Sequence, residues 1–336
     1  MRTDKLKPIG QPWRELLLRL TPYIIAATLL LILPLFLPPY LQRMITKVLI
    51  FALFAMSLNL IWGYTGLISL GHAAFFGVGG YTSGILILRF GIESFWLVAP
   101  AAILIATLFA AVFGFIALRV SGLYFLMVTF TLGQLLFSLA EQWFHMTGGS
   151  HGLRGIPLPD LGFPFIWNTI SWYYVVFLVF AICYFLLYRI VNSPFGYALQ
   201  GIRENEPRMR ALGYNTWLYK YIVLIIAGLF AGVAGVLFAH WNKLIAPVHL
   251  GLPTSLLGLL FVIIGGAGTL LGPVIGAVVV IFIEFYASIY TPERWPLILG
   301  VLFVIAIMFL RGGIFPHLVN LWKKVISRYS YGSIKS

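Results

Sequence analysis

The chain has 336 residues, of which 61% are hydrophobic and 9% charged, and its formal net charge is +13. A soluble globular domain carries about 25% charged residues, so this chain has too little polar surface to cover itself in water and reads as an all-α integral membrane protein. The basic residues lie scattered over short connections without an aromatic-and-basic groove, which excludes nucleic acid as a partner, and the alternation of a membrane β-barrel is absent.

Residues 1–21 read as a cytoplasmic segment with Arg2, Lys5, Lys7, Arg14 and Arg19. The apolar run behind them is too long for a signal peptide core and has no small-x-small cleavage site, so it is expected to stay as the first span. Ten apolar runs follow one another: 22–39, 45–62, 67–90, 95–118, 124–144, 171–191, 221–240, 254–267, 270–290 and 296–310. Most approach the ~20 residues that cross ~30 Å of hydrocarbon. The expectation is a polytopic helical bundle of about 10 transmembrane helices over 22–310. The eighth run is short, so nine crossings with one broken or re-entrant segment is the alternative. With the N-terminus inside and strict alternation, 16 of the 22 basic residues fall on cytoplasmic connections and six outside. That bias places both termini in the cytoplasm, with 311–336 as a basic cytoplasmic tail. Residues 145–170, rich in Gly and Pro, become an external loop, and 192–220 becomes a cytoplasmic one.

The stretch 63–81, GYTGLISLGHAAFFGVGGY, holds six glycines inside apolar surroundings. Glycine weakens a helix in water, but in a membrane bundle it permits close approach or a break against protein. A broken or closely packed span is expected here, with Ser69 and His72 turned toward protein or water. Polar residues within spans are costly in lipid and often mark a pathway; a helix-to-helix hydrogen bond is the other reading for His72. Glu141 and Glu284 sit near span ends, where solvation is easy. The candidate translocation-path set is Gly66, Ser69, Gly71, His72, Gln134, Gly265 and Gly266. Gly228-x-x-x-Gly232 reads as packing. The single cysteine, Cys183, excludes an internal disulfide and a Cys-based metal cluster. No metal-ligand spacing and no nucleophile motif occurs.

The cytoplasmic connection contains GIRENEPRMRALG, residues 201–213. Asn205 suits an N-cap, Pro207 suits the first turn, and Gly213 can end the helix in the left-handed region. A helix of about two turns is marginal alone, so it is expected to dock on something.

SPFGYALQGIRENEPRMRALGYNTWLYKYIVLIIAGLFAGVAGVLFA (193–239) resembles the cytoplasmic signature of ABC-importer permeases. MSLNLIWGYTGLISLGHAAFFGVGGY (56–81), SGLYFLMVTFTLGQLLFSLAEQW with TGGSHGLRGIP (121–157), and IIGGAGTLLGPVIGA (263–277) are similar in order and spacing to the branched-chain amino-acid permease family of the Liv type, with an M-like pattern. Two departures from that pattern are Leu123 and Arg311-Gly312-Gly313. The resemblance implies half of a translocation path in a bacterial or archaeal plasma membrane, paired with an H-type or like permease subunit. It implies two cytoplasmic ATPases and a periplasmic or lipid-anchored substrate-binding protein. It makes the short helix near 206–212 a coupling helix, with ATPase contacts at Arg203, Glu204, Asn205, Glu206, Arg208, Met209, Arg210, Leu212 and Gly213. No P-loop occurs, so ATP and Mg would sit on the partner ATPases and this chain would bind no cofactor and catalyse no reaction. Urea or a short-chain amide is the alternative cargo within the family. An ion-gradient-driven transporter is the alternative class, because broken glycine-rich helices suit it too.

Overall fold

The computed structural model describes residues 28, 30–92, 94–158, 169–290, 294–309 and 312–317. The expected cytoplasmic segment 1–21, most of the first run, part of the external loop and most of the basic tail therefore lie outside the described residues.

Residues 30–36 are helical. Then come α1 (Pro39–Thr65), α2 (His72–Leu88), α3 (Phe95–Ala117), α4 (Leu123–Gln142), the one-turn α5 (Phe144–Thr147), α6 (Thr169–Val191), α7 (Pro194–Ala211), α8 (Thr216–Asn242), α9 (Leu252–Gly265), α10 (Gly272–Tyr290) and α11 (Trp295–Phe309). Each later apolar run coincides with one of these helices. Among the described residues, seven segments are long and apolar enough to cross a membrane: α1, α3, α4, α6, α8, α10, and α9 together with the 3-10 turn before it. The short eighth run thus reaches 19 residues, Pro247–Gly265, through that turn. The chain is a polytopic helical membrane protein.

Burial sorts the helices. The apolar windows of α1 and α8 are 89% and 78% buried, whereas those of α4 and α6 are 28% buried. The first two are the axis of the bundle and the last two its periphery. Lipid offers apolar helices no hydrophobic reason to associate, so close packing has to hold them. The small residues supply it. A Cβ at Gly235 would fall on the Phe76 carbonyl of α2, and one at Gly228 on the Ala110 methyl of α3. Gly228 thus serves the α3 contact and Gly235 the α2 contact, while Gly232 serves both, against Ala106 of α3 and Gly79 of α2. Around this seam the rings of Phe54 and Phe76 lie 5.1 Å apart, and those of Phe76 and Phe238 5.3 Å apart. Such pairs add about 0.5–1.5 kcal/mol each beyond burial.

At the end of the bundle where α1 begins, the connection expected to be an external loop carries short ordered elements among its described residues. β1 (Leu153–Arg154) pairs antiparallel with β2 (Leu244–Ile245), Leu153 opposite Ile245. The buried His240 ring fastens it further, with Nε2 3.0 Å from Ser83 Oγ and Nδ1 2.8 Å from the Pro157 carbonyl oxygen.

Candidate functional site

α1 ends because Gly66 adopts the left-handed conformation, φ 79°, and its N–H closes on the Trp62 carbonyl at 2.9 Å. A side chain there would be strained. Residues 66–71 then run without helix, and α2 starts at His72. The break expected in the glycine-rich stretch lies here. His72 is fully buried, its Nε2 2.8 Å from Ser57 Oγ and its ring stacked on Phe54 at 5.4 Å. Ser57 lies eight residues before the end of α1, so α2 begins about 12 Å inside the bundle at 1.5 Å per residue. Ser69 is buried as well. Both side chains face protein. The first turn of α2 is tied to α9, because the Ala73 amide donates to Ser255 Oγ at 3.1 Å. Gly71 lies against the backbone of α4, where a Cβ would strike the Thr129 carbonyl, and Gly133 abuts Gly71 in return.

Gln134 is exposed beside this contact and lines an open cavity of about 620 Å³ with Phe130, Phe137, Glu141, Pro247 and Leu252. The cavity lies between α4 and the turn entering α9. Glu141, read as a span-end residue, is on its wall.

Gly66, Gly265 and Gly266 belong elsewhere, at the end of the bundle that carries α7. There the Asn59 side chain grips the α9–α10 connection from both sides. Its Oδ1 accepts from the Gly268 amide at 2.9 Å and its Nδ2 donates to the Thr269 carbonyl at 2.9 Å. Arg203 of α7 donates from Nη1 to the Gly63 carbonyl, and its side chain crosses next to Gly66 and Gly268. Gly265 and Gly266 are buried against Gly272 and Gly313, with no room for a Cβ at Gly265. The candidate path set is thus divided between a mid-bundle group and a joint at the α7 end.

α7 is longer than the two turns expected, but it is two helices. Asn205 breaks it at φ −157°, ψ 90°, and its Oδ1 caps the second half by accepting from the Arg208 amide at 3.0 Å. Gly213 closes that half at φ 89°. Asn205, Pro207 and Gly213 therefore do locally what their positions predict. The charged residues divide. Glu206 turns back on its own chain, with Oε2 2.5 Å from Lys220 Nζ and Oε1 2.7 Å from Arg210 Nη2 and 3.0 Å from Thr216 Oγ1. Partial burial works to raise the Glu206 pKa, but Lys220, Arg210 and Thr216 outweigh it and hold the carboxyl below its usual value. The Met209 thioether folds back over Gly201. Glu204, Arg208 and Leu212 remain exposed, Leu212 to 67%. Of nine residues expected to face an ATPase, Arg203, Asn205, Glu206, Met209 and Arg210 thus turn their side chains to partners within the chain.

Several residues escaped the sequence reading. Asn59, Ser57 and Ser255 look like ordinary small polar residues within spans, and their partners are up to 210 residues away. Lys220 and Thr216 read as ordinary members of the cytoplasmic connection 192–220, with no signal that ties them to Glu206. Lys47, read as an outside charge, lies within α1 and pairs with Glu284 at 3.0 Å. A basic and an acidic residue at similar depth in two spans was the available signal for that pair.

Residues 40–309 match the family model described as branched-chain amino acid transport system / permease component. Among curated relatives, the high-affinity branched-chain amino acid transport system permease protein LivM of Salmonella typhimurium is 29% identical over 294 residues, covering 81% of this chain and 69% of its own. The corresponding LivH of Escherichia coli K12 is 24% identical, covering 76% of this chain and 88% of its own. A tyrosine transport system permease protein of Clostridioides difficile is 27% identical over 56% of this chain and 61% of its own. No solved structure matches the chain at a significant level. With the match running from the start of α1 to the end of α11, the chain belongs to the branched-chain amino acid transport system permease family.

Proposed function

We propose that this chain forms half of the translocation path of an ABC importer for branched-chain or other large neutral amino acids. Separate ATPases, carrying ATP and Mg, drive it, a binding protein feeds it, and a second permease subunit of LivH or like type completes the path. The chain would cross a bacterial or archaeal plasma membrane ten times with both termini in the cytoplasm. The observation that carries this reading is the architecture of α7. It is a polar, kinked helix set between two apolar ones. Its second half is stiffened by Glu206 and its first half is fastened to the end of α1 by Arg203.

A rigid-body push on the exposed Glu204–Arg208–Leu212 face would reach α1 and the α9–α10 connection through Arg203 and Asn59. Those elements, with the interrupted start of α2, are the parts able to change the opening. Alternating access requires such a differential effect on two states. The open cavity beside Gln134 would then be a half-site that the second subunit completes. Cargo identity rests on the relatives' names, and the binding protein sets much of it.

The test is the complete transporter in vesicles with its ATPases and binding protein. Arg208→Glu should abolish binding-protein stimulation of ATP hydrolysis while the complex still assembles; unchanged stimulation would remove α7 as the coupling element. Uptake that survives ATP depletion and collapses with a protonophore would favour an ion-driven carrier instead. Ligand binding to the partner binding protein, with leucine, isoleucine, valine, tyrosine, urea and acetamide, assigns the cargo.

A further inference from the structure

A second, smaller cavity of about 210 Å³ opens between the start of α1 and the end of α10, next to Trp241. It is far from α7 and shares no lining residue with the cavity at Gln134. Its polar lining is Arg43, Lys47, Glu284 and Ser288. Lys47 Nζ has three donors. Two go to the Glu284 carboxylate, at 3.0 Å to each oxygen, which leaves one. The Arg43 side chain is exposed and, among the described residues, has no carboxylate within ion-pair distance. Two cations and one anion leave the cavity with one positive charge in excess.

Depth identifies what can meet that charge. Arg43 lies four residues into α1 and Lys47 eight, about 6 and 12 Å from its start at 1.5 Å per residue. Glu284 is six residues, about 9 Å, before the end of α10. Tyr40, Tyr286 and Tyr290 are exposed on the same two helices, 49%, 55% and 81% respectively, and Trp241 donates its indole N–H to the Arg43 carbonyl at 3.2 Å. Exposed Tyr and Trp at helix ends mark the level of lipid headgroups. An ion pair opened toward hydrocarbon just below that level is costly. A phosphodiester above it, with glycerol and ester oxygens beneath, would satisfy Arg43 and the third Lys47 donor at once.

We propose that this groove binds the phosphate of a membrane phospholipid, held by Arg43 and by the Lys47 donor that Glu284 leaves free. The acyl chains leave along α1 and α10.

The test is native mass spectrometry of the complete transporter released from nanodiscs that contain equal phosphatidylglycerol and phosphate-free monoglucosyl-diacylglycerol. The wild type should retain the phospholipid preferentially. Arg43→Gln should lower that retention about fivefold, the worth of one basic residue at an anionic membrane surface. Glu284→Gln, which removes the competing carboxylate, should leave it equal or higher; a fall in both variants would mean loss of local structure rather than of a phosphate contact and would overturn the proposal. Equal retention of both lipids would overturn it as well. Displacement of the lipid by millimolar inorganic phosphate would reassign the site to the free anion, and displacement by millimolar leucine would reassign it to a zwitterionic solute.

Discussion

Asn59 holds Gly268 across 209 residues of sequence, its side-chain oxygen 2.9 Å from the Gly268 amide. The same side chain donates to the neighbouring carbonyl of Thr269. One amide thus satisfies a donor and an acceptor of a connection that has no helix to do so. Asn59→Leu, close in size, leaves two partly buried backbone groups without their partner, and about 1–3 kcal/mol per fully buried group is the upper bound on the cost. The expected outcome is a transporter that assembles with a lowered melting temperature. It should hydrolyse ATP at its basal rate and lose stimulation by the binding protein. Basal and stimulated rates, measured on one preparation, check this.

Arg203 tests the other side of the joint. Arg203→Gln removes the guanidinium from the Gly63 carbonyl and frees α7 from α1. Arg203→Lys keeps the charge but not the planar fork. Uptake per ATP hydrolysed should fall in the order wild type, Lys, Gln. Uptake per ATP unchanged in the glutamine variant would deny Arg203 a role in transmission.

Gly235→Ala tests the α8–α2 seam. Its methyl would meet the Phe76 carbonyl, backbone that cannot turn away. Overpacking costs about 1–3 kcal/mol, so the variant should melt earlier and yield less assembled complex. Gly300→Ala on α11, where a Cβ meets nothing, should match the wild type.

The Glu206 network gives a pH dependence. Its carboxyl is held below the usual value, so its stabilising effect is complete above 4.5, the ordinary glutamate value, and is lost as pH falls through the depressed one. The melting temperature of Glu206→Gln should lie below that of wild type at neutral pH, and the two should converge as the solution is acidified. A gap that persists undiminished in acid would mean that the carboxylate charge is not what holds Arg210 and Lys220.

Much of the candidate machinery was legible because it is local. Asn205, Pro207 and Gly213 act within a few residues of themselves, so spacing alone located the capped half-helix. The break near Gly66 was legible for the same reason, since glycine's freedom at positive φ is a property of the residue. Arg203 and Glu206 show where spacing stops. Both are charged residues in a polar connection, and nothing in their order says that one reaches the end of α1 while the other turns back to Lys220. Gln134 was singled out for its polarity, yet Gly133 beside it makes the contact with Gly71, and only the packing angle of α4 puts Gln134 on an open wall.

The sequence by itself determined the membrane class, the places of the helices and the capped turns, because hydrophobic length and local backbone preference act on contiguous residues. The tertiary structure decided which polar groups meet. Asn59 with Gly268, His72 with Ser57, and Lys47 with Glu284 are pairings between spans. In an apolar solvent each such group must find a partner, and which partner it finds depends on helix rotation and depth, which hydrophobic patterning leaves open.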